Sequence, residues 1–410
     1  MEGNITLLTQ NLMGLLCILI LTGIICVKLS KIVHIPDVVL FILAGVILGP
    51  QVLNIVNFDV FKIENQLILN FGAAYILYDG GREVKLKILN KVKVSVTLLA
   101  TLGVIISTFI TGFFASKVLK IDFIYALLLG SVIASTDPSV LVPLFKNMNI
   151  SSKLKQTIIS ESAFNDAAGA IITFTILGVI LGGSFSISSC IVQLLVKAFG
   201  GIFVGGIIGY AVVFLLGRGK MRIFSGYPGE IAVAAVLGAY VVSEHFGFSG
   251  FMAVFIFGIV CGNKDVFKLS IDADDERVHL DFKEVLIMIL RILIFTILGT
   301  QINFNILGQY WSQALIVVLL FIFAARPVSV FFSIIWDRKA KWNFREALYL
   351  MWTRETGVIP AALAGMIVSM KVQNAQIISA VTFMAIIVTL VVQASTAKYA
   401  AKILKLEVKE

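Results

Sequence analysis

Apolar residues run along this chain in blocks of about 14 to 29, separated by short polar stretches that hold most of the charge. A helix needs about 20 apolar residues to cross a bilayer. Such blocks fall at about 12–29, 37–54, 65–81, 92–116, 122–146, 155–183, 187–215, 227–243, 249–262, 284–301, 312–335, 346–370 and 375–400. The pattern predicts an all-α polytopic membrane protein of about thirteen transmembrane helices. Some blocks carry prolines, glycines and carboxylates near their middles, and those interruptions are where the chemistry is expected.

Composition sharpens this picture: 59% of the 410 residues are hydrophobic, 14% are charged, and mean hydropathy is +1.00. The net charge of +9 could suggest a nucleic-acid partner, but its distribution excludes that reading. Basic residues gather in alternate loops: Lys28 and Lys31, then 82–93, 146–155, 218–222, 264–283, 338–345 and 398–409. The other loops hold only Lys62, Lys117, Lys120 and Lys371. By the positive-inside rule the N-terminus lies outside and the C-terminus in the cytoplasm of a cell-membrane protein. The first block has no basic residues before it, so it reads as a retained span. The four cysteines lack metal-ligand spacing and read as packing residues.

Two halves echo each other. IPDVVLFILAGVILGP at 35–50 shares its spacing with SGFMAVFIFGIVCGN at 249–263, so that Gly45 and Gly49 answer Gly258 and Gly262. AAYILYDGG at 73–81 likewise answers FTILGTQ at 295–301. One transport unit over 1–402 is expected: a repeat at about 12–183, a linking helix at 187–215 and a second repeat at about 227–401. Residues 403–410 form a short tail, and no soluble regulatory domain is expected. The unpaired linking helix inverts the second repeat, an arrangement typical of secondary transporters, whose sites lie near the midplane among interrupted helices.

The interruptions are legible. SVIASTDPSVLVPLF from Ser131 has Pro138 and Pro143 inside an apolar block, with Thr136 and Asp137 before the first; the matching block of the second half has MWTRETGVIPAALAG, with Gly357 and Pro360. Proline removes a donor and clashes with the preceding turn, which frees carbonyls near Thr136 to face a ligand. Between them lies SESAFNDAAGAIITF from Ser160, where Glu161, Ser162, Asn165 and Asp166 share a side of a helix through their three- and four-residue spacings. With Asp137 and Thr136 they would supply carboxylates, a hydroxyl and carbonyls, all oxygen, which suits a hard cation. Arg326 lies too deep in its block to snorkel and requires a buried partner. Glu161 is the choice that leaves the aspartates for cargo. Asp79 in YDGG is either a solvated helix-end charge or a support of the site, Arg291 is left unassigned, and the three histidines read as solvated.

TDP at 136–138 followed by ESAFND at 161–166 resembles the signature of the monovalent cation:proton antiporters, in the Asn-Asp branch related to the electroneutral sodium/proton exchangers. The resemblance spans nearly the whole chain. It implies a thirteen-helix homodimer with two crossed, broken helices, a core that moves as an elevator, and exchange of one cation per proton. It implies that Asp166 binds cation or proton, that Asp137, Ser162 and Thr136 join the coordination of transported Na+, and that Glu161 pairs with Arg326. Asn165 matches the position held by Asp in the electrogenic branch. The family often has arginine directly before the glycine of the second broken helix; here Thr356 stands there and Arg354 comes three residues before Gly357.

The expectation is therefore a secondary active antiporter rather than an enzyme, with no cofactor, whose partners are a monovalent cation, protons and membrane lipid. Na+ is expected, and Li+ remains open. A K+/H+ antiporter is the alternative; an ion channel or a Na+-coupled organic-anion symporter are rivals from other classes.

Overall fold

The computed structural model describes residues 2–33, 36–56, 61–136, 145, 148–182, 187–217, 226–267 and 269–407. Helices dominate because a backbone inside a bilayer has no water to bond with and must satisfy itself. In chain order the described helices are α1 (Glu2–Val33), α2 (Asp37–Leu48), α3 (Lys62–Glu83), α4 (Leu86–Ala100), α5 (Leu102–Leu119), α6 (Phe123–Ile133), α7 (Ser152–Ile180), α8 (Ile187–Leu216) and α9 (Pro228–His245). They continue with α10 (Gly250–Gly262), α11 (Ala273–Thr300), α12 (Phe304–Leu320), α13 (Arg326–Ile334), α14 (Phe344–Trp352), α15 (Val358–Ser369), α16 (Ala375–Val388) and α17 (Ser395–Ile403). Pairing α4 with α5, α12 with α13, α14 with α15 and α16 with α17 as single spans gives thirteen among the described residues, as the apolar blocks predict. Among the described residues, six helical spans are long and apolar enough to cross a membrane, while α2, α6, α10 and α15 are shorter apolar pieces.

The repeat is visible in how four helices touch. α2 packs on α11, and α3 packs on α10. A Cβ on Gly45 would sit 2.1 Å from the Thr296 carbonyl oxygen, and one on Gly299 would sit 2.2 Å from that of Ile42. In the other pair, a Cβ on Gly258 would sit 2.0 Å from the Tyr78 oxygen and one on Gly81 would sit 2.2 Å from that of Phe255. Gly45 corresponds to Gly258 and Gly81 to Gly299, so the two contacts are the same contact made twice. These glycines let main chain meet main chain. Together α2, α3, α10 and α11 form a rigid scaffold.

The other body is built around α7, which packs against α4 and α6. Two π-helical turns interrupt the regular ladder of other spans. The turn at Phe321–Ala325 stands just before Pro327, whose missing N–H breaks the regular ladder. The turn at Thr389–Ala394 rearranges the last span beside the second broken helix.

Scaffold and core meet along an apolar seam. Ala163, Ala167 and Ile171, at four-residue intervals on α7, face Val84 beyond α3 and Met252, Phe255 and Ile259 on α10. Phe164 adds an edge-on contact with Phe255, at 4.8 Å between ring centroids. Elsewhere between the two bodies, Asn65 on α3 donates to Ser369 at the end of α15 at 3.0 Å.

If the paired glycines set the scaffold, Gly258→Ala will destabilise the protein by about 1–3 kcal/mol through overpacking. Gly206→Ala, at a position with nothing within 4 Å, will not. The midpoint of thermal unfolding of the purified protein in detergent distinguishes the two.

Candidate functional site

Helix α6 stops at Ile133, and Ala134, Ser135 and Thr136 continue outside a regular helix. Asp137, the expected second carboxylate, lies outside the described residues, as do Pro138 and Pro143. Thr136 is held tightly by α7. Its amide donates to Asn165 Oδ1 at 3.0 Å, its hydroxyl accepts from Asn165 Nδ2 at 2.8 Å, and its carbonyl accepts from Ser162 Oγ at 2.6 Å. The unwound end has exchanged its lost helical partners for two side chains of the neighbouring helix. The carbonyl expected to be free for a ligand is therefore engaged by Ser162 in this conformation. Asp166 follows directly on α7, buried with 6% exposure.

The second interruption is complete within the described residues. α14 ends at Trp352, residues 353–357 are extended, and helix resumes at Val358. Here the last span supplies the bonds: Gln393 Nε2 donates to the Trp352 carbonyl at 2.7 Å, and the Thr356 amide donates to Thr389 Oγ1 at 3.0 Å. Each broken helix is thus braced by the helix that follows it in its own repeat.

Arg354 links the two interruptions. Its guanidinium donates to the Ala134 carbonyl and, at 3.1 Å, to Ser107 Oγ, and lies 4.5 Å from the Phe321 ring centroid. A cation at the C-terminal end of α6 neutralises the partial negative charge of the helix terminus. The displaced arginine therefore stands at the crossing.

Glu161 and Arg326 form a buried bidentate pair: Nη1 donates to Oε1, Nη2 donates to Oε2 at 3.0 Å, and both Nε and Nη2 also donate to the Leu350 carbonyl. Four residues before Leu350 on α14, Glu346 accepts from the Lys153 ammonium at 2.7 Å, and that ammonium lies 4.4 Å from the Trp342 ring centroid. The site helix is consequently fixed to α14 at two heights. Asp337, in the loop before α14, accepts from the Ser95 amide and hydroxyl and from the Ala340 amide. Burial acts to raise its carboxyl, but hydrogen bonds from Ser95, Ala340 and Lys339 together hold it below the usual carboxylate value.

Several residues have environments that the sequence did not indicate. Lys283, read as a loop charge, is buried within α11 and forms an ion pair with Asp79. Asp79 is therefore a half-buried, ion-paired charge near the end of α3. Arg291 donates to Asp37 at 3.1 Å. His279 is buried rather than solvated, 3.2 Å from the Tyr78 hydroxyl. Glu355 is buried in the extended stretch; its place beside Arg354, within an interrupted block, was the available signal.

This geometry can be set beside known proteins. A family model described as sodium/hydrogen exchanger, transmembrane, matches residues 16–402. The chain belongs to this family. It is a multi-pass membrane protein of a transporter family. It is 31% identical to the probable Na(+)/H(+) antiporter 2 of Methanocaldococcus jannaschii, with 96% of this chain and 97% of that protein covered. It is 28% identical to the K(+)/H(+) antiporter NhaP of Alkalimonas amylolytica, covering 95% of this chain and 66% of that one. The solved structure of the sodium proton antiporter MjNhaP1 from Methanocaldococcus jannaschii at pH 8 superposes with a TM-score of 0.83 at 29% identity, covering 95% of this chain and 99% of that one. The fold is the sodium/proton antiporter fold, with inverted repeats and crossed broken helices.

Removing one member of the Glu161–Arg326 pair strands a buried charge. Arg326→Ala and Glu161→Ala will each cost about 3–5 kcal/mol, and the joint replacement Glu161→Leu with Arg326→Leu will cost less than the sum. Denaturation of the purified variants in detergent measures both.

Proposed function

We propose that this chain exchanges Na+ for H+ across the cell membrane, one for one, with Asp166 carrying cation and proton in turn. The observation that carries the reading is the placement of Asp166: a carboxylate buried beside the seam between scaffold and core, on the helix that clamps the unwound end at Thr136. An ionised carboxylate is too costly to carry empty through a low-dielectric barrier. The site therefore crosses with a cation or a proton bound, and coupling follows without a separate gate.

Sodium is favoured because two relatives that this chain covers almost end to end are named sodium/proton antiporters. The potassium/proton relative keeps K+ as the second reading. Asp137, Ser162 and Thr136 are the further ligands we assign to the cation, with no resident cofactor. Ser162 and Thr136 would exchange their mutual hydrogen bond for the cargo. Asn165 is already committed to Thr136 through both ends of its amide, which supports a single titrating carboxylate on this helix and hence electroneutral exchange. Glu161, Arg326 and Arg354 hold the geometry.

The apolar packing between α7 and α10 supports elevator-type movement of the core along the scaffold, within one transport unit comprising 12–183, the linking helix at 187–215 and 227–401. The N-terminus is assigned to the outside, from the basic loops. A homodimer is supported by the apolar outward faces of α1 and α8, which expose Ile24, Ile25, Phe199 and Phe203.

At one for one, each pH unit stores about 1.4 kcal/mol, enough to sustain roughly a tenfold cation gradient. Purified protein in liposomes containing a pH dye tests the reading. Proton efflux on sodium addition, unchanged by a potential clamp, is expected, and Asp166→Asn will abolish it while the protein stays folded. A response to potassium alone would replace the cargo, and clamp-sensitive flux would overturn the stoichiometry. Asn165→Asp removes the amide donor to Thr136 and adds a charge; it is expected to make any remaining exchange potential-dependent in the same assay.

A further inference from the structure

The scaffold carries a carboxylate of its own close to the seam. Asp79 lies near the end of α3, and the next residue, Gly80, faces α7: a Cβ there would sit 3.7 Å from the Ala163 side chain. Ala163 is three residues, less than one turn, before Asp166. The Asp79 side chain retains 24% exposure, while Lys283 from α11, only 8% exposed, directs its ammonium onto the carboxylate. Both partners belong to the scaffold, so the pair stays together however the core moves. Around them, Arg82 donates to Tyr78, and His279 lies against the same tyrosine.

A bare carboxylate at this place would attract the cargo cation electrostatically beside the track along which it travels. We propose that Lys283 is a fixed counter-ion that masks Asp79, so that the scaffold wall holds no cation of its own and Asp166 takes the cargo without competition from it. Lys283 is thereby a specificity-setting residue that acts through Asp79. The inference rests on the exchange activity proposed above.

The masking role and a purely structural staple between α3 and α11 predict different signs. Unmasking Asp79 by Lys283→Gln will lower the apparent KM for sodium by about three- to tenfold, the range expected for one uncompensated charge near the path. It will lower maximal turnover as well, because cargo dwells on the wall. Asp79→Asn will not lower the KM. The double variant Asp79→Asn with Lys283→Gln will return the KM to within about twofold of the parent. A staple gives reduced stability and turnover in every variant with no fall in KM.

The experiment measures initial rates of sodium-driven proton efflux from liposomes at fixed pH over a sodium titration, parent and variants side by side. Lys283→Met, which keeps the stem's packing and removes only the charge, must give the same fall in KM, so the test does not depend on the folding of the glutamine variant. A KM unchanged or raised in either Lys283 variant overturns the proposal, as does a double variant that keeps the lowered KM. Failure of the parent protein to exchange sodium for protons would instead overturn the exchange reading.

Discussion

A helix interrupted within a bilayer leaves amides and carbonyls that only other protein groups can satisfy, and this constraint shapes the core. Inside hydrocarbon, each unmet group costs several kcal/mol. The chain answers it twice in the same manner. In the first half, Asn165 and Ser162 bind the backbone of Thr136. In the second, Thr389 and Gln393 bind the backbone of Thr356 and Trp352. The bracing helix of the first repeat also carries Asp166. A ligand that takes Ser162 away from Thr136 therefore changes the backbone support of the broken helix directly.

Charge follows a similar economy. Glu161 and Arg326 neutralise each other, and the Leu350 carbonyl takes up further guanidinium donors. Arg354 is committed to the end of α6. These buried charges stiffen the region between the broken helices, while the scaffold keeps its own ion pairs, Asp79 with Lys283 and Asp37 with Arg291. Core and scaffold each balance many of their charges internally. Between α7 and α10 lies an apolar seam, a compliant surface along which a moving body can slide.

Much of this was legible in the sequence because it rests on spacing and hydropathy. Apolar blocks gave the spans, the glycine echo gave the repeat, and the depth of Arg326 pointed to Glu161. Lys283 was misread because hydropathy assigns a lysine at the edge of an apolar block to the adjoining loop; its partner, Asp79, lies on a helix from the other half of the chain. His279 was misread for the same reason: its burial comes from Tyr78 and helix packing that local composition does not encode. The brace from Gln393 depends on a π-helical turn, a change of register that no 3.6-residue periodicity would show. Arg354 reaches the crossing despite its displaced position because the extended stretch lets a long side chain compensate for a shift along the sequence.

The paired glycine contacts have a mechanical consequence. Where main chain presses on main chain, the fit is set by covalent geometry rather than by side-chain rotamers, and there is no soft layer to yield. Such a joint behaves like a dovetail: it resists both sliding and twisting, and it does so identically at two places related by the internal symmetry. Deformation of this molecule must therefore concentrate where compliant aliphatic surfaces meet. The frame's rigidity thus selects which part of the protein is free to travel.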